Sequence, residues 1–157
     1  MDSEKLCAGQ CPVARALARA GDTWSMLILR DAGRGLTRYD QFRANLGIAP
    51  NILASRLKSL TAAGLLEKRR YSDRPVRHEY VLSDSGRDFL PVLLALGAWG
   101  ARHFGEGGVA HHVDAATGAR VRPVVVDAGT GAPIGSRPLR LVPPGEEGGA
   151  RRGWLLD

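Results

Sequence analysis

The sequence predicts a mainly α fold with a small β-hairpin, followed by a small β-rich C-terminal extension. Three observations lead there. Apolar residues recur at helical spacing through roughly the first hundred positions. Two strand-like runs, Leu65 to Tyr71 and Arg77 to Leu82, flank a turn at Asp73-Arg-Pro75. Beyond Phe104 the composition changes, and from Gly105 onward lie 11 of the 20 glycines and five of the nine prolines. A chain of 157 residues has room for one ordinary domain and an appendage. The expected division is 1–105 and 106–157.

Each element follows from its residues. Pro12 suits a first helical turn, and Val13, Leu17 and Ala20 give that helix an apolar stripe before Gly21-Asp22 breaks it. Trp24, Leu27 and Ile28 carry a second helix, widened by Leu29, to Gly33-Arg-Gly35. Thr37 is the expected N-cap of a third through Tyr39, Phe42 and Leu46, closed by Gly47. The fourth runs from about Pro50 to Ala63 and stops at Gly64. After the hairpin, Ser83 caps a last helix with Phe89, Val92, Leu93, Leu96 and Trp99 down one side. Helices, hairpin and one more helix is the order of a winged helix-turn-helix.

Charge is concentrated where such a fold meets a duplex. Residues 38 to 77 hold nine Lys/Arg against three Asp/Glu, a net +6, which equals the formal charge of the whole chain. This balance favours a polyanionic partner, and the helix faces and the basic hairpin make double-stranded DNA the expected one. At about 100° per residue, Leu53, Leu57 and Leu60 share one face of the fourth helix. Asn51, Ser55, Lys58 and Ala62 share the other. Asn51 suits a base contact, and Lys58 a phosphate or guanine edge. Arg56 lies between the faces and suits a structural or a phosphate-binding role equally. Arg38 joins the candidate DNA set. The wing places Lys68, Arg69, Arg70, Arg74 and Arg77 within ten residues. Like charges this close repel unless an anion is expected, and a hairpin tip reaches phosphates or a minor groove. Arg74 is the tip residue.

Other classes are excluded or kept as rivals. No Ser/His/Asp order, metal signature or phosphate-binding glycine loop appears, so no enzyme is expected. No run approaches the roughly eighteen apolar residues of a membrane span. The start, with Asp2, Glu4 and Lys5, is not a signal peptide, so a cytoplasmic protein is expected. Phe89, Leu93, Leu96, Trp99 and Phe104 are a large apolar load, which a two-fold homodimer would bury while setting two reading heads on a pseudo-palindromic operator. Trp24, Phe89, Trp99 and His103 are candidates to line a pocket for an unidentified small-molecule effector. No cofactor and no metal are expected. The different-class rival is a winged helix that binds protein and no DNA.

The first 104 positions resemble the HxlR-type family of winged helix-turn-helix regulators. The matching text is Cys11-Pro-Val13, Trp24-Ser-Met-Leu-Ile-Leu-Arg30, Phe42, and Ile48-Ala-Pro-Asn-Ile-Leu-Ala-Ser-Arg-Leu-Lys-Ser-Leu60. It continues through Gly64-Leu-Leu66, Arg77-His-Glu-Tyr80, Leu82-Ser83 and Gly86. The resemblance implies a homodimeric transcription factor, joined through the first and last helices of residues 1–105, whose operator binding answers a chemical signal. Cys11 corresponds to the cysteine that several electrophile- or oxidant-responsive members use as a sensor. A thiol at a helix start is placed to attack an electrophile or form a disulfide, with Cys7 or a partner's Cys11 resolving it; a small buried hydrophobe is the plain alternative. The extension is similar to a small zinc ribbon that has lost its cysteines, its frame surviving as Thr117-Gly118 and Asp127-Ala-Gly-Thr-Gly131. His111, His112, Asp114 and Asp127 match no strong metal spacing. Val121, Val124 to Val126, Ile134 and Leu139 to Val142 suggest short strands, Pro143 to Gly153 a flexible stretch, and Trp154 to Leu156 a docking segment.

Overall fold

The computed structural model describes residues 9–145 and the short strand Leu155–Leu156. Its elements are α1 (Pro12–Ala20), α2 (Thr23–Gly33), α3 (Tyr39–Leu46), α4 (Pro50–Ala62), β1 (Leu66–Asp73), β2 (Val76–Leu82), α5 (Asp84–Asp88) and α6 (Leu90–Phe104). Two short strands follow, β3 (Leu139–Arg140) and β4 (Leu155–Leu156). This is a winged helix-turn-helix with a small β-containing extension. The packing divides into two compact units, Met1–Leu93 and Leu94–Asp157, and the division falls inside α6.

In the first unit, the sequence writes both core and punctuation. Asp22 caps α2, its carboxylate accepting from Ser25 N at 3.1 Å. α2 buries Ile28 and Leu29 completely, and with them the carboxylate of Asp31. That buried charge is satisfied: Asp31 accepts from Asn45 Nδ2 at 2.7 Å and Arg30 Nε at 2.9 Å, which ties α2 to α3. The Thr37 cap differs from expectation. Arg38 is the capping residue, and Gln41 Oε1 reaches back to accept from Thr37 N at 3.0 Å and Arg38 N at 2.9 Å. A glutamine three positions into the helix thus satisfies the backbone donors at and just before the cap, the return half of a capping box. Gly47, at φ 60°, ends α3 in the left-handed conformation that reverses the chain toward Pro50. α4 then buries Leu53, Leu57 and Leu60 fully.

β1 and β2 pair antiparallel from Leu66↔Leu82 to Asp73↔Val76, with an irregularity between Arg70 and Ser72. The segment before α3 joins this hairpin, since Tyr80 N donates to Thr37 O at 2.7 Å and Arg38 bridges Glu79. Ser83 caps a helix as expected, its Oγ accepting from Gly86 N at 3.0 Å, but that helix is the short α5. Pro91 has no N–H for the carbonyl four residues back, so one expected helix becomes α5 and α6. Gly86 is buried where any Cβ would strike the Leu65 carbonyl oxygen. Glycine there lets α5 lie against the start of the wing.

In the second unit the tail turns out to be duplicated. His112-Val-Asp-Ala-Ala-Thr-Gly-Ala-Arg-Val121 and Val125-Val-Asp-Ala-Gly-Thr-Gly-Ala-Pro-Ile134 share one pattern at an offset of thirteen residues. Each folds into the same clip. Asp114 Oδ1 accepts from Thr117 N and Thr117 Oγ1, both at 2.8 Å. Asp127 Oδ1 accepts from Thr130 N at 2.7 Å and Thr130 Oγ1 at 2.9 Å. The flanks close with Val121 N donating to His112 O at 2.8 Å and Ile134 N to Val125 O at 2.9 Å. The expected valine strands are therefore isolated bridges, Val113↔Arg120 and Val126↔Pro133, because the tight turns consume most of each repeat. Leu139–Arg140 does form a strand, paired with Leu155–Leu156. The carboxyls of Asp114 and Asp127 are both held below the ordinary 3.8, foremost by the hydroxyls of Thr117 and Thr130. Cys7 and most of the stretch read as flexible, residues 146–153, lie outside the described residues.

Candidate nucleic-acid interface

α4 turns the leucines inward and leaves Asn51, Ser55 and Lys58 exposed on the opposite side. Its first turn is held by Tyr39, whose hydroxyl donates to Pro50 O at 2.8 Å. The helix that would read a duplex is thus pinned to the helix before it. The Lys58 side chain has no hydrogen bond or ion pair with any described residue. Tyr80, on β2, has its hydroxyl pKa pushed up by burial and by the neighbouring Tyr39.

Arg56 takes the structural position. Its Nε lies 2.9 Å from Asp22 Oδ1, close enough for an ion pair but off line for a hydrogen bond. Burial pushes the Asp22 carboxyl up, but the bonds from Ser25 and the charge of Arg56 outweigh it and leave the pKa lowered. Arg38 lies over the ring of Tyr71, its Cζ 4.8 Å from the centroid, in cation–π contact.

The wing cations divide into two sets. Arg69 meets Glu67 at 2.6 Å and Arg70 meets Asp73 at 2.9 Å. Lys68, Arg74 and Arg77 are exposed and have no such partner among the described residues. Arg43, on the exposed side of α3, shares this condition and was missed by the sequence reading. Its signal was visible, because it falls within the same basic segment.

The remaining candidates lie elsewhere. Cys11 is exposed as a free thiol at the N-cap of α1, and its carbonyl accepts from Arg15 N at 3.1 Å. Trp24 and Phe89 pack against the core of the first unit. Trp99 and His103 belong to the second unit, where their rings lie 5.5 Å apart and Trp99 also meets Phe104 edge-on at 5.2 Å.

The model of the HxlR-like helix-turn-helix family matches residues 20–107, more than half of the chain. The chain belongs to this family. Among curated relatives, the HTH-type transcriptional regulator Mb3122 of Mycobacterium bovis is 44% identical over 88 residues, 56% of each chain. The match therefore spans little more than half the length of that relative. The solved structure of PA1607, described as a candidate transcription factor, superposes with a TM-score of 0.77 at 39% identity. It covers 86% of this chain and 94% of that one, so the likeness runs beyond the family model. The redox regulator HypR in its oxidized form superposes with a TM-score of 0.55 at 29% identity, over 59% of this chain and 97% of that one. The family is a helix-turn-helix family, and α3 and α4 supply the paired helices of that motif.

Proposed function

We propose that the chain is a sequence-specific, dimeric transcriptional regulator that binds double-stranded DNA in the cytoplasm and whose operator binding is modulated by a chemical signal. One observation carries this reading: α4 exposes Asn51, Ser55 and Lys58 while the wing exposes Lys68, Arg74 and Arg77 without carboxylate partners among the described residues. α4 enters the major groove, with Asn51 on a base edge and Ser55 and Lys58 beside it. The wing reaches phosphate or the minor groove through Arg74 and Arg77. Arg38, Arg69 and Arg70 add to the positive field, and Arg56 fixes α4 through Asp22. A polar surface meant only for water has no need to gather unpaired cations on two adjacent elements.

The test is affinity for the promoter beside its own gene, measured across salt. Arg74→Ala and Lys58→Ala should weaken binding on all sequences and each lower the salt slope by about 1. Asn51→Ala should cost about 1–3 kcal/mol on the operator and relax preference at one base pair. An unchanged salt slope in the triple variant Arg70→Ala, Arg74→Ala, Arg77→Ala would favour the protein-binding winged helix instead.

Dimerisation is supported by the apolar load outside the core. Val13 and Leu17 of α1 are 63% and 52% exposed, and Trp99 and Phe104 of α6 are 53% and 70% exposed. Large apolar side chains left exposed on a helix mark an association site. It fits a homodimer through the first and last helices, set against a pseudo-palindromic operator.

The second reading is a thiol switch. It is favoured by the exposed thiol of Cys11 at the start of α1 and by the likeness to a redox regulator. Mild oxidant should then change operator affinity in the native protein and leave Cys11→Ser unaffected. Equal responses in the two proteins would remove Cys11 from the signal path.

A further inference from the structure

The second unit contains a cavity of about 420 Å³ between the C-terminal half of α6 and the first of the two clips. Its polar walls are Arg102, His111, His112, Arg120 and Arg122, and no carboxylate lines it. The side chains of Arg102, Arg120 and Arg122 form no hydrogen bond or ion pair with any described residue. Its floor is apolar and recessed, made by Leu94, Gly97, Ala98 and Ala101 at helical spacing along α6. At Gly97 an added Cβ would meet nothing within 4 Å, so the missing side chain is open space.

The duplication supplies an internal control. The clip itself needs Asp, Thr and Gly, and both repeats keep them. At the positions of His111, His112, Arg120 and Arg122, the second repeat has Val124, Val125, Pro133 and Gly135. The same hairpin thus closes with no cation at any of the four positions. Folding does not call for the charges, and like charges gathered in one cleft repel unless an anion enters.

We propose that this cavity is a binding site for a small organic acid, a carboxylate or phosphate ester carrying an apolar body. Arg120 and Arg122 sit on the strand-like arm that faces His111 and His112, because the Asp114–Thr117 clip folds one arm back on the other. Guanidinium groups recognise carboxylate and phosphate oxygens in pairs, and the Leu94–Ala101 floor receives the apolar body. The proposal deepens the regulator reading by naming the chemical class of its signal, and it rests on that reading for its biological role.

Binding is measured on the full chain by calorimetry without DNA, so its outcome is independent of whether the operator is bound. Benzoate and phenyl phosphate should bind saturably, and benzyl alcohol and benzylamine should not. Arg120→Gln with Arg122→Gln should lower benzoate affinity at least tenfold with an unchanged circular dichroism spectrum. Gly97→Leu, which fills the floor without touching a charge, should do the same. Equal binding of benzyl alcohol, or an unaffected arginine double variant, would overturn the site. Inorganic phosphate binding as tightly as phenyl phosphate would overturn the organic-acid assignment. A loss of operator affinity in the ligand-free arginine double variant would make the cleft part of the DNA surface instead.

Discussion

Asp22 serves two helices at once, capping α2 through Ser25 and meeting Arg56 of α4. Its carboxyl pKa is lowered in the folded chain, so its contribution is complete above the ordinary value of 3.8 and is lost as pH falls through the lowered value. Asp22→Ala should cost about 1 kcal/mol at neutral pH, mostly as a lost cap. The ion pair adds little, since both side chains are more than a third exposed. Urea unfolding across pH checks this: the gap between native and variant should close in acid, and a constant gap would contradict it. Part of this was legible. Gly21-Asp22 reads as a helix break, and Arg56 reads as lying between faces, but no spacing rule joins positions 22 and 56. The same holds for Asp31 and Asn45, whose bond crosses from α2 to α3. Only the packed helices bring such pairs together.

At the scale of elements, α4 was the most legible, because three leucines at helical spacing fix its buried face and hence its exposed one. The wing was legible as a basic hairpin, but not in how its charges divide. Glu67 and Asp73 pair with Arg69 and Arg70 through local geometry that charge counting does not see. The clips were half legible. The Thr-Gly frame is legible in the sequence, whereas the valines of the thirteen-residue repeat read as strands and mask the two tight turns. Both clip carboxylates have lowered pKa values, so the carboxylate's contribution to each clip is complete above 3.8 and is lost as pH falls through the lowered value. Nuclear magnetic resonance should show the Thr117 and Thr130 amide protons titrating together in that acid range. Thr117→Val should raise the midpoint at the first clip and leave the second unchanged. A shift at both would mean the clips are coupled.

For the whole molecule, association and DNA reading are expected to rest on different residues. Leu96→Glu, on an exposed position of α6, should halve the mass in sedimentation and weaken operator binding at least tenfold by separating the two half-site readers. Arg74→Ala should weaken binding with no change in mass. A Leu96→Glu protein that stays dimeric would move the interface away from α6. The sequence exposed the apolar load of this helix but not how much of it the core takes. Phe89 and Leu93 are used inside the first unit, and Leu96, Trp99 and Phe104 are left outside.

The clips also decide what kinds of insult the extension can ignore. A fold pinned by carboxylate and hydroxyl has no thiolate to oxidise, so peroxide leaves its scaffold in place. Cys11 stands in the other unit, which is the one an oxidant would reach. A thiol signal and an acidic-metabolite signal would then travel on separate channels of one protein, each readable while the other is silent.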